Sequence, residues 1–385
     1  MHETQPGITG AWPFEDSRES LGLDLAAGLD ALIARARKAE HQPPRQHHLV
    51  PSSYLQRWAV DGKIRVTEVD EAKSWLSSPT KAARERDYYS LGSPDLNQDE
   101  VPPLLMETLL SEVESIGIPS LGEVARSGRS GANREAQTGL AMLMAFQFVR
   151  GERVRQELRD LAQHDLQVTR GGLTEDGVRE LLSAGGQEPT TEEIQQALQD
   201  VADLNAGVLV VEPQRAALAA MQMHHAEKIA VALLGREWCV VNSRAALVTT
   251  DEPVVVIGGP GCSRVVSAGL DDAAVVVFPL GPSQVLAMFK PGRLPGRARE
   301  DLTASETHEL NTELIAASSR FAFEQPSRAV ARRLPVPRGH AGRVLRDEFA
   351  VRGSELRRVV AFHVETRWAG ASKPPPWPVS RWYRS

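Results

Sequence analysis

A length of 385 residues suffices for one large domain or two ordinary ones, and 42% hydrophobic against 24% charged residues is the balance of a globular protein. Only two cysteines occur, Cys239 and Cys262, which argues against a disulfide scaffold and a thiolate zinc centre. The longest apolar run, 140–149, is interrupted by Gln147 and is about half the roughly 20 residues a bilayer helix needs.

The N-terminal 1–20 carries acidic residues and no long apolar core, so it does not read as a secretory signal, and these absences point to the cytoplasm. The formal net charge is -6, yet 327–385 holds 13 Lys and Arg against 4 acids, so the rest of the chain is clearly acidic. Such a tail can meet nucleic acid, an acidic partner, or the acidic body of its own chain.

In chain order, residues 1–20 lack periodicity and read as a loose arm. Apolar residues at Leu21, Leu25, Leu29, Leu32 and Ile33 predict an amphipathic helix to Lys38, ended by the prolines of 41–45. Pro51 opens a second helix to Val60, with Tyr54, Leu55 and Trp58 on one face. Asp61-Gly62 is a turn, and 63–69 alternates as a strand does. Helices are predicted over 102–116 and, as one long buried central helix, over 134–163. Further helices follow over 174–184, 190–205 and 214–234, the last closed by Gly235. The character then changes. Short strands, mostly rich in valine, are predicted over 237–242, 246–249, 253–257, 274–278 and 284–289, before a helix over 303–318. An edge strand is predicted over 357–364, and 373–378 is too proline-rich to be regular. The plan is α+β, a helix-rich core with a small, mostly antiparallel sheet in the C-terminal half. It divides into an arm and helix (1–45), a main domain (46–325) and a basic, proline-rich extension (326–385).

The densest polar feature is Gln46-His47-His48-Leu49-Val50-Pro51-Ser52-Ser53-Tyr54-Leu55. Paired imidazoles just before a helix start either ligate a metal or act as general base, or they hydrogen-bond the backbone and fix the helix entry. Gln147 and Arg150 lie three apart on one helix face, in an apolar helix, so Arg150 needs a carboxylate or an anionic ligand. Glu107, Glu114 and Asp251 are its candidate partners. A protein carboxylate would make a structural clamp, a phosphate a binding site. Glu107 and Glu114 are seven apart and share a face, either to help hold a divalent cation with His47 or His48 and Asp251, or as a solvated stripe. Asp251 follows Thr250 on a strand-end loop, a position suited to ligand contact and equally to an Asx turn. His224 and His225 sit inside a helix, where adjacent side chains diverge and a solvated face is the simpler reading. No phosphate-binding loop, dinucleotide fingerprint or nucleophile elbow occurs in a fitting context.

These motifs together resemble the DUF 4238 family. The double histidine followed by Val-Pro and Tyr-Leu looks like that family's opening signature. Lys81 with Asp87-Tyr88-Tyr89 resembles its lysine and aromatic pair, and Glu107 and Glu114 lie in a stretch similar to its acidic helix. Gln147 and Arg150 match its glutamine–arginine pattern. Thr249-Thr250-Asp251-Glu252-Pro253 resembles its Ser-Asp-Asn-Pro motif, preceded by Trp238; Phe278-Pro279-Leu280 and Asn311 complete the set. The likeness runs from about 46 to about 323, with Glu252 in place of the usual asparagine and Leu49 in place of an aromatic. It implies a mostly bacterial protein of unestablished biochemistry, with some members linked to defence against bacteriophage.

Two functions follow as expectations. One is a hydrolase of the phosphodiesterase or nuclease type. In it His47, His48, Glu107, Gln147, Arg150 and Asp251 form one catalytic pocket, a divalent metal is held by His47, His48 and Asp251, and Tyr54, Lys81, Glu114, Thr250 and Asn311 contact an anionic small molecule or nucleic acid. The other is a non-enzymatic binding or sensing component built from the same residues.

Overall fold

The computed structural model describes residues 25–39, 46–86, 102, 104–128, 131–184, 188–210, 215–334, 336–339, 342–352 and 355–384. The arm 1–20, the first turn of the predicted opening helix and the Asp87-Tyr88-Tyr89 motif lie outside these residues.

The first half is helical. Helix α1 (Leu25–Ala39) is followed by a three-residue strand β1 (Gln46–His48) and a short helix α2 (Ser52–Leu55) that tightens into a 3-10 turn over Gln56–Trp58. The single helix predicted over 51–60 is therefore two short pieces. Strands β2 (Ile64–Glu68), β3 (Lys73–Ser77) and β4 (Arg84–Arg86) come next, then α3 (Leu105–Ser127), which runs well past its predicted end and carries Pro119 inside it.

The long helix expected over 134–163 is two helices, α4 (Arg134–Val149) and α5 (Glu152–Arg170). Gly151 turns extended (φ -60°, ψ 150°) and becomes the N-cap of α5, so hydrophobic continuity gave way to a local backbone break. Helices α6 (Glu175–Ser183), α7 (Thr191–Asn205) and α8 (Arg215–Leu234) follow as predicted. Thr190 and Glu193 form a capping box at the start of α7.

Helix α4 is buried nearly all round, from Gly139 through Gln147, because it packs against both α3 and α8. The crossing with α3 depends on glycine. A Cβ on Gly117 would stand 2.5 Å from Leu143 Cβ and 3.2 Å from the Gly139 carbonyl oxygen. Gly117→Ala is thus expected to destabilise by about 1–3 kcal/mol through overpacking, outweighing the roughly 1 kcal/mol that alanine gains in helix propensity. Urea unfolding checks it, and a stabilised variant would contradict the close crossing.

The β-rich half holds β5 (Glu237–Asn242), β6 (Thr249–Thr250), β7 (Val255–Ile257), β8 (Val275–Gly281), β9 (Gln284–Phe289), helix α9 (Ala304–Ala317), β10 (Phe321–Glu324) and the hairpin β11 (Arg343–Arg352) and β12 (Glu355–Val364). The predicted strand at 246–249 is confined to Thr249–Thr250. All strand pairs named here are antiparallel. One four-stranded sheet has the order β5-β9-β8-β7; a second has the order β3-β2-β10-β6. Two-stranded ribbons β1-β4 and β11-β12 complete the set. Sheets are therefore not restricted to the C-terminal half, since β2, with β3 on its other side, pairs with β10 far later in sequence, Phe321 opposite Glu68.

The first sheet is buried on both faces, which explains its valine-rich strands. Val240, Val276, Phe278, Leu286 and Met288 face the helical core, whereas Val241, Val275, Val277, Val285 and Phe289 face a second core under α9. Helix α9 opens with a Thr303–Glu306 capping box. The C-terminal segment joins that second core through Val379 and Trp382. Its guanidinium groups grip the body: Arg381 donates to Glu306 at 2.7 Å, and buried Arg367 is paired with Asp70. For these two residues the tail's partner is the protein itself. Among the described residues no helix is long and apolar enough to cross a membrane.

Candidate functional site

The polar residues picked out along the sequence meet in the structure, mostly by binding one another. Gln147 donates to the Leu49 carbonyl at 3.0 Å, tying α4 to the chain just after β1. Arg150, one turn on, donates to Gln147 Oε1 and to Glu114 Oε1, the latter at 3.2 Å. Both Gln147 and Arg150 are buried, whereas the Glu114 side chain is 29% exposed and so retains some water. Of the two readings of Arg150, the carboxylate clamp is the one formed.

Tyr54 is fully buried. Its hydroxyl lies 2.8 Å from Thr249 Oγ1 and donates to the Pro279 carbonyl at 2.8 Å, while its ring stacks on Phe278. Burial pushes its phenol well above the ordinary range. Asn311, in mid-helix on α9, accepts from Val248 N at 2.9 Å and donates to the Ala246 carbonyl at 2.9 Å, which holds 246–248 out of a regular strand. Tyr54 therefore joins the motifs at 249 and 279, and Asn311 fixes the segment just before Thr249.

Asp251 sits at the end of β6 with both oxygens occupied. Ser319 N (3.1 Å), Arg320 N (2.7 Å) and Phe321 N (2.9 Å) all donate to it, closing the turn between α9 and β10. Burial and the neighbouring Glu252 charge push its carboxyl up to about 7 against the pull of these three N–H groups. Thr250 is buried beside it, and its hydroxyl has no hydrogen-bond partner among the described residues.

Glu252, where the family resemblance expects asparagine, has a task of its own. It accepts from Arg153 N at 3.1 Å and Ser319 Oγ at 2.7 Å, capping α5 from a distance. A Cβ on Gly151 would lie 3.1 Å from this carboxylate, so glycine at the α4–α5 break makes room for the cap.

His48 is different: it is only half-buried and keeps contact with solvent. Its Nε2 lies 3.1 Å from the Thr80 carbonyl and 3.1 Å from Arg84 Nε. One ring nitrogen cannot donate and accept at once. With Nε2–H on Thr80, Nδ1 is left as a lone pair; with Arg84 donating, the proton sits on Nδ1. Burial, the largest cause, and the Arg84 charge lower the pKa of the ring, while Thr80, Glu114 and Glu107 pull the other way. Glu107 and Glu114 of α3 thus bear on the same imidazole. Lys81 is exposed in the adjoining turn. The His47 side chain lies outside the described residues, although its backbone pairs with Glu85. Among the described residues, no three His, Cys, Asp or Glu side chains are grouped as a metal ion would need. His224 is exposed and His225 half-buried, their ring centroids 5.9 Å apart.

The structure therefore gathers His48, Glu107, Glu114, Gln147 and Arg150 into one neighbourhood. It gives Asp251, Tyr54 and Asn311 to bonds around β6. Sequence reasoning missed a separate cleft of about 70 Å³ over β7, whose walls include Arg153, Glu252, Arg264, Glu313, Glu365 and Trp377. Arg367 and Trp368 of the tail also line it, and both are buried.

Fold and site together define an α+β protein whose described motif side chains mainly stitch helices to strands, with the His48 imidazole left at the surface. The chain belongs to the family described as "Protein of unknown function (DUF4238)", which matches residues 46–328. No curated protein and no solved structure matches it.

Proposed function

We propose that the neighbourhood of His48 binds an anionic substrate of the phosphodiester class and hydrolyses it. The observation that carries this reading is an imidazole biased toward its neutral form by burial and a cation, yet still open to solvent. Nδ1, free when Nε2–H is bonded to Thr80, accepts the proton of an attacking water. The exposed cations Lys81 and Arg84 attract the anion, and Arg150, behind Glu114, fixes the carboxylate next to the ring.

The test is hydrolysis of bis(4-nitrophenyl) phosphate by the purified chain. His48→Ala is expected to lower the rate by about 100-fold or more, the usual contribution of a general base. Because the ring's pKa is lowered, activity should hold at neutral pH and fall only below 6.5. The same direction sets stability: a depressed folded pKa means His48 favours folding above 6.5 and loses that contribution as pH falls through the folded value. Equal turnover by His48→Ala and the parent would remove the hydrolase reading.

A second reading, binding without turnover, is favoured by how many motif residues are spent in buried bonds. In that reading the chain is a sensing component, as the resemblance to a family with some members linked to bacteriophage defence suggests. Saturable thermal stabilisation by AMP without hydrolysis, lost in Arg84→Ala, would support it.

A further inference from the structure

The cleft over β7 is separate from His48 and has its own charge logic. Arg264 donates to both oxygens of Glu313, at 3.0 and 2.7 Å, and to the Pro375 carbonyl at 3.1 Å. Arg367 is taken up by Asp70 and by the carbonyls of Ser318, Ser319 and Pro337. Glu252 holds the start of α5, with Arg153 Nε 3.6 Å from it. That leaves Glu365. Its main chain is fixed by Gly342 and Val266, but its partly buried carboxylate meets no cation or N–H donor among the described residues.

The same cleft also has apolar and aromatic lining. Val254, Val255, Val256 and Val266 contribute to the walls, as does Trp377. Arg264 already shows what such groups recognise, since its guanidinium lies 4.1 Å over the Trp377 ring while a carboxylate grips it. The volume of about 70 Å³ is far below the roughly 300 Å³ at which pockets for whole small molecules begin. A head group fits; a nucleotide does not.

We infer that this cleft binds an organic cation, a primary amine or guanidinium on a flexible stem, with Glu365 as counter-ion. The stem lies along the valine wall and Trp377, contacts that a bare metal cation does not make. Arg264 offers little repulsion because Glu313 meets its charge at both oxygens. The ligand chemistry is shared by free polyamines and by basic side chains of a peptide, and the experiment separates them.

Isothermal titration calorimetry of the full chain, at matched ionic strength, uses agmatine, spermidine and an acetylated tetralysine peptide. Saturable binding of at least one is expected, weakened about tenfold or more in Glu365→Gln through loss of the charge-assisted contact. Trp377→Leu should weaken it about threefold, the scale of an exposed cation–π contact. Glu365→Gln should fold like the parent, which its melting temperature checks. Tighter small amines assign a polyamine-like ligand; a tighter peptide assigns a basic segment. His48→Ala should bind undiminished, which keeps this site distinct from the first. No saturable binding by any of the three, equal affinity in Glu365→Gln, or preference for AMP would overturn the inference.

Discussion

Asp251→Ala is expected to lower the unfolding free energy by about 3–5 kcal/mol. The carboxylate accepts three main-chain N–H groups in a buried turn, and each stranded donor costs on the order of 1–3 kcal/mol, less where water enters. Asp251→Asn should recover little, because its amide NH2 replaces one acceptor oxygen and faces a donor. The damage should concentrate where α9 turns into β10, since β10 joins β2 to β6 and so ties the early strands to the later half of the chain. Urea unfolding followed by tryptophan fluorescence reads the loss. A change below about 1 kcal/mol would mean these bonds are not maintained in solution.

Arg150→Met should cost about 2–4 kcal/mol, near the low end of what breaking a buried ion pair costs. The reason for the lower end is Glu114, whose partial exposure lets water take over its charge once the guanidinium is gone. Gln147 Oε1 also loses its donor, and with it the orientation that lets Nε2 reach the Leu49 carbonyl. The double variant Arg150→Met with Glu114→Gln should be more stable than the sum of the single changes, because no unpaired charge remains. Strict additivity in that cycle would deny the clamp.

Much of the fold was legible because its signals are local. Acids near the helix starts and the Gly235 stop helped place helices at 174–184, 190–205 and 214–234, and these and the helix at 303–318 lie close to their observed limits. What sequence could not show is how distant groups meet. The α4–α5 break at Gly151 hides inside a continuous helical pattern, and its cap, Glu252, lies about 100 residues downstream. Strand β10 is four residues long and gains its identity from partners at 64–68 and 249–250. Hydrophobic patterning is silent about such long-range pairing.

The site was legible in part for the same reason. Arg150 in an apolar helix called for a carboxylate or an anionic ligand, and of its three candidate carboxylates Glu114 is the one it meets. Asp251 and Asn311 carry the residue types of ligand contacts, but backbone groups that no motif reveals engage both ends of each side chain. The cleft at Glu365 was invisible because its walls come from α9, β7 and the tail, segments more than 40 residues apart.

If the shared motifs are chiefly a scaffold and His48 is the group left to work, stability and binding must separate. The most direct measurement is urea unfolding of Asn311→Ala beside His48→Ala. The first should lose about 2 kcal/mol or more by stranding buried main-chain partners, the second no more than about 0.5 kcal/mol at pH 7. The reverse order, with His48→Ala the more damaged protein, would make the imidazole part of the framework and leave the surface site without its centre.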